Sequence, residues 1–144
     1  MLNQSDLKLI DDTLRNLDHN RNLILSIATK SNLTQSIIAD YIKMRSCESL
    51  NLKTERLNKK DEKKSDYISA RHICFYLIHK YSQFTDETIS VLYFNEFKRA
   101  AITKGRNKIK DIVANPKINM LVYERYQKVL NSIQEFIQIT KNQK

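Results

Sequence analysis

Gly105 and Pro116 are the only glycine and the only proline in this chain of 144 residues. Hairpins, sandwiches and barrels need residues at every reversal that tolerate a positive φ or fix a negative one, and this chain has almost none. The expected fold class is therefore all-α. The same scarcity removes the glycine-built loop that cradles nucleotide phosphates, so P-loop hydrolysis is excluded by composition. The chain is 41% hydrophobic and has no Gly-, Ser- or Pro-rich linker, which predicts a single helical domain over residues 1–144.

The formal charge is +9, from 25 Lys and Arg against 16 Asp and Glu. Its distribution is uneven. Residues 1–30 carry four charges of each sign, whereas residues 43–110 carry sixteen basic and eight acidic side chains. A basic field localised in this way attracts phosphate backbones through counterion release, and it also attracts anionic lipid or an acidic protein. Cys47 and Cys74 stand in a sequence that reads as lacking a signal peptide, so reduced, buried thiols in a cytoplasmic protein are expected. The longest apolar runs, such as Leu23-Ile24-Leu25, fall far short of a membrane span.

Helical periodicity places the elements. Ser5 reads as the N-cap of a first helix with Leu7, Ile10, Leu14, Leu17, Ile24 and Ile27 on one face. A short helix opens at Thr34 with Ile37, Ile38, Tyr41 and Ile42 inward, and a small amphipathic piece follows around Leu50 and Leu52. Residues 53–64 contain one apolar side chain, Leu57, among Lys, Arg, Asp and Glu, and read as an exposed basic loop. From residue 65 or 66 to 82 the chain is apolar on several faces, which predicts a central helix. Thr85, with Asp86 and Glu87, caps a short helix with Ile89, Leu92 and Tyr93 inward. Asn95 suits a left-handed turn. A basic helix from about Phe97 then carries Ala101, Ile102, Ile109, Ile112 and Val113 on one side and ends at Asn115-Pro116. A last long helix over 118–140 carries Leu121, Val122, Tyr126, Val129, Leu130, Ile133, Phe136 and Ile137.

Catalytic chemistry is not expected. His19, His72 and His79 have no Cys or carboxylate partners at metal-ligand spacing, and no Ser or Cys sits in a nucleophile context. No metal, cofactor or enzymatic activity follows from these residues. A short capped helix, a tight break and a cationic second helix are instead the sequence form of a helix-turn-helix.

On these residues the chain resembles the C-terminal DNA-binding domain, domain IV, of the bacterial replication initiator DnaA, which has a Trp-repressor-like helical fold. The likeness runs over roughly residues 37–109. Tyr41-Ile42 matches the apolar-aromatic pair that ends the family's short helix, and Glu48-Ser49-Leu50 matches its Glu-x-Leu turn. Ala70, Arg71, Ile73, Tyr76 and Leu77 match its Ala-Arg-Gln-Ile-Ala-Met-Tyr-Leu helix, and Phe84-Thr85 with Thr88-Ile89 matches the next. Where the family has Phe-Gly-Gly-Arg-Asp-His-Thr-Thr-Val, this chain has residues 93–102, about one residue longer, with Phe97, Lys98, Arg99 and Ala100 in place of the base-reading types. The resemblance implies a helix-turn-helix core over 33–113; outside it, the helical periodicity predicts an N-terminal helical extension over 1–32 and a long helix over 117–141.

The expected partner is double-stranded DNA, with the helix from Phe97 in the major groove. Thr85, Phe97, Lys98, Arg99, Ala100, Thr103, Lys104 and Arg106 are the candidate contacts on the helical unit. Arg56, Lys59, Lys60, Lys63 and Lys64 are the candidates on the basic loop. A replication accessory or a regulator fits this reading. The alternative is a protein-interaction module that binds a replication protein, or itself, through the terminal helices, with a homodimer on the C-terminal helix. No membrane partner is expected.

Overall fold

The computed structural model describes residues 4–6 and 33–134, which are mainly helical with no strand among them. In chain order the elements are α1 (Leu33–Leu50), α2 (Thr54–Leu57), α3 (Ser65–Ser82), α4 (Asp86–Tyr93), α5 (Arg99–Ala114), a 3₁₀ turn (Pro116–Ile118) and α6 (Met120–Ser132). Ser5 lies inside a helical stretch rather than ahead of one. The predicted stripe from Leu7 to Ile27, His19, Phe136, Ile137 and the far end of the last helix lie outside the described residues.

α3 is the central element, packed against α1, α4, α5 and α6. Ile73, Cys74, Phe75, Leu77 and Ile78 are all buried along it, as its apolar faces demand. It ends at Gln83, whose φ of 64° gives the left-handed residue that commonly closes a helix. Cys47 and Cys74 are both buried free thiols, and burial pushes Cys74 up to about 12.

α1 is longer than its sequence suggests. Ser46, between the expected short helix and the amphipathic piece, donates its hydroxyl to the Ile42 carbonyl at 2.7 Å and stays within the helix. The end comes at Asn51, with φ 57°. α4 begins as expected: the Thr85 side-chain oxygen accepts the Thr88 N–H at 3.2 Å. Its far end is held by Lys43 of α1, whose ammonium donates to the Tyr93 carbonyl at 2.6 Å and lies 4.4 Å from the centre of the Phe94 ring. Leu92, expected inward, is 59% exposed.

The connection from α4 to α5 corrects one expectation. Among the described residues only Asn51 and Gln83 have left-handed backbones, so Asn95 does not make the turn. The turn is closed by the Phe97 N–H donating to the Phe94 carbonyl at 2.9 Å and by Ser90 donating to the Phe97 carbonyl. The aromatic pair anchors it: Phe94 is fully buried edge-on to Phe75 at 4.8 Å between centres, and Phe97 packs against the same ring at 6.2 Å.

α5 turns Ile102, Gly105, Ile109 and Ile112 inward. Gly105 is where α5 meets α3. A Cβ there would stand 2.5 Å from His72 Cδ2 and 2.9 Å from Phe75 Cδ2, so the absent side chain lets the imidazole lie on the α5 backbone. Pro116 stops α5, and the end of the 3₁₀ turn and the first residues of α6 miss the core: Ile118, Met120 and Leu121 are 59%, 51% and 55% exposed. Tyr126, Val129 and Ile133 supply the buried face instead of Leu121.

Candidate nucleic-acid interface

The segment between α2 and α3 is organised from below. Arg71, on the buried side of α3 and only 4% exposed, sends its guanidinium under the segment. Nε donates to the Leu57 carbonyl at 2.8 Å and Nη1 to the Glu62 carbonyl at 2.7 Å. Nη2 reaches the Arg56 carbonyl at 3.3 Å and also the Lys59 carbonyl. Leu57 closes the short helix α2 with its side chain fully buried. Residues 53–64 are mostly exposed, as their charge suggests, and Arg71 holds their backbone from beneath as a shelf. A planar guanidinium with five donors is the one side chain able to gather carbonyls pointing in from several directions.

Glu96, in the turn before α5, ties the shelf to that turn. Its carboxylate accepts the Lys60 N–H at 3.0 Å and pairs with the Lys59 ammonium at 3.5 Å. The backbone hydrogen bond from Lys60 holds the Glu96 carboxyl below its ordinary range. Arg71 also lies 5.2 Å from the centre of the Phe97 ring, so one side chain touches both the shelf and the turn.

Between the shelf and α5 runs a cleft of about 280 Å³. Lys60 and Lys63 rim it from the shelf and Lys104 and Lys108 from α5, with His72, Phe75, Phe97, Ala101 and Gly105 beneath. A second hollow of about 310 Å³ adjoins it on the far side of His72, where Lys63 and Lys108 meet Ser65, Ser69 and Asn119. No carboxylate lines either one. Burial, followed by the charges of Lys108, Arg71 and Lys104, lowers His72 to about 4, so it is neutral near pH 7.

The candidate residues divide into three groups. Lys60, Lys63 and Lys104 come together across the cleft, while Lys59, Lys64, Lys98, Arg99 and Ala100 are exposed around it or along the start of α5. Arg56 is exposed but faces Glu62 at 3.7 Å. The rest are engaged in holding the fold. Thr85 is the α4 cap, and the half-buried Phe97 ring packs on Phe75 and Phe94. Arg106 makes a fork on Asp86, Nε to Oδ1 at 2.9 Å and Nη2 to Oδ2 at 2.8 Å, and Thr103 donates to the same carboxylate at 2.7 Å. Burial works against the Asp86 charge, yet the Arg106 and Thr103 hydrogen bonds outweigh it and keep the carboxyl below its ordinary value. Arg106 and Thr103 thus bind α5 to the start of α4, their hydrogen-bonding groups being satisfied by the Asp86 carboxylate.

Arg71, His72, Glu96 and Lys108 are the residues that sequence reasoning missed. The signal for Arg71 was present: a cation in the middle of a nearly continuous apolar helix must find buried acceptors. Among the described residues no group of His, Cys, Asp or Glu is placed to hold a metal ion, and no helix is long and apolar enough to cross a membrane. Compared with family models, curated proteins and solved structures, the chain matches none.

Proposed function

We propose that this protein binds double-stranded DNA without acting on it chemically, with α4 and α5 serving as a helix-turn-helix and α5 entering the major groove. The observation that carries this reading is the joint cationic surface of the shelf and α5, on which Lys60, Lys63, Lys104 and Lys108 stand together with no carboxylate in the lining. Lys98 and Arg99 are exposed at the start of α5, where Arg99 borders a separate hollow together with Asp86 and Glu87. The resemblance to the initiator's DNA-binding domain supports the same reading, and a cytoplasmic replication accessory or regulator is the role it fits. Arg106 is occupied by Asp86, so Arg99 is the guanidinium on α5 left to meet a guanine edge.

The test is a salt-dependent titration on duplex DNA. The Lys98→Ala, Arg99→Ala double variant is expected to lose about tenfold or more in affinity and about two units of salt slope if both side chains meet phosphate. If Arg99 reads a base, the loss is larger on a preferred site than elsewhere. Unchanged affinity and slope would refute the placement of α5.

Ile118, Met120 and Leu121, exposed in sequence-adjacent positions, favour a second reading in which the start of α6 meets a partner or another copy of the chain. A homodimer on this face predicts a sedimentation coefficient that rises with concentration and falls back in a Leu121→Glu variant. A monomer at every concentration refutes the dimer.

A further inference from the structure

His72 occupies an unusual position. Its ring lies on the α5 backbone at Gly105 and forms part of the wall of both hollows, so it is a barrier between two cationic recesses. The groups around it are all of one sign. Lys104 and Lys108 face it from α5, Lys60 and Lys63 from the shelf, and Arg71 from its own helix. From the α6 side the lining is Asn119 and Val122, which carry no charge, and from α3 it is Ser65, Ile68 and Ser69. A second cation at this spot is opposed by every neighbour while the recesses hold only water.

A polyanion reverses that field. Burial is the larger cause of the neutral imidazole, and phosphates drawn to Lys63, Lys104 and Lys108 cancel the repulsion that adds to it and offer the ring an acceptor. We propose that His72 takes up a proton from solvent when DNA occupies the cleft, so that binding is coupled to protonation and the affinity rises as the pH falls. The neutral histidine is a weak contact and the imidazolium a strong one. The inference rests on the DNA-binding reading and adds to it a regulated contact.

Linkage fixes the form of the result. A proton bound only in the complex raises the association constant by at most tenfold per pH unit, between the free and the bound values of the group. If DNA lifts His72 by one and a half to two units, the affinity should rise about three- to tenfold from pH 7.5 to pH 5.0.

The experiment is calorimetric titration of the full chain with a duplex of fixed length at both pH values, in two buffers of different ionisation enthalpy. The expected result is tighter binding at pH 5.0 with uptake of most of one proton. The uptake should disappear in His72→Gln and persist in His79→Gln, since His79 lies beside Asp86 and Arg106 instead. In wild-type protein the His72 ring proton, followed by NMR, should titrate at higher pH with duplex than without. A His72→Gln variant that keeps the wild-type pH dependence, or a ring that titrates identically with and without duplex, overturns the coupling alone. No binding at either pH in low salt overturns the DNA-binding reading and the coupling with it.

Discussion

Arg71→Ala should destabilise the protein by about 2–4 kcal/mol and release the shelf, because hydrogen bonds to a charged donor are worth about 1.5–3 kcal/mol each and the carbonyls left behind regain water only by moving. The loss is smaller than the sum over four acceptors, since residues 58–62 lie near solvent and rehydrate once freed. Leu57 then loses its cover, and the break should spread to α2. Arg71→Lys should rescue little: one ammonium cannot serve acceptors spread from Arg56 to Glu62 in the plane of a fork. Denaturant midpoints give the stability, and amide exchange of residues 57–64 gives the release. An Arg71→Ala variant with wild-type stability and protected amides would show that the shelf is held by something else.

Acidification from pH 7.5 to 5.0 should cost about 2 kcal/mol through His72 alone. Burial and the cations around it place the folded value at about 4, below the ordinary 6.5. Between those two values the unfolded chain binds the proton that the folded one refuses. The contribution of the neutral ring is therefore complete above 6.5, declines as pH falls and is gone below 4. Asp86 behaves in the acid sense: its carboxyl is lowered by Arg106 and Thr103 despite burial, so its contribution holds above its ordinary value of 3.8 and is lost below that. The two losses occupy separate pH windows. Denaturation of wild type and His72→Gln across pH 4–8 tests this, and equal slopes for the two proteins would refute it.

The elements legible in the sequence were those whose causes are local. Thr85 caps α4 because the acceptor and donor lie three residues apart, and Pro116 ends α5 wherever the rest of the chain goes. The periodic burial of α3 is equally local in origin. What the sequence concealed depends on partners far along the chain. Arg71 works on carbonyls nine to fifteen residues earlier, and backbone acceptors leave no mark on residue identity. Asp86 lies 20 residues before Arg106, so the fork that removes Arg106 from the exposed cations was invisible to a reading of charge alone. Asn95 failed for a similar reason: its backbone preference was outweighed by the buried Phe94 and the half-buried Phe97, which set the turn from either side.

The shelf has a thermodynamic consequence of its own. Fixing one residue of backbone costs about 1–2 kcal/mol of conformational entropy at room temperature. For residues 57–62 that cost is met when the protein folds, through a guanidinium that approaches from the interior and leaves the outer face untouched. A ligand arriving at Lys60 and Lys63 restricts side-chain rotamers, and its contacts are not diminished by having to order a chain first. The shelf is a hydrogen-bonded mount for exposed lysines, whose long side chains can follow an irregular anionic surface without unmaking the backbone contacts beneath them.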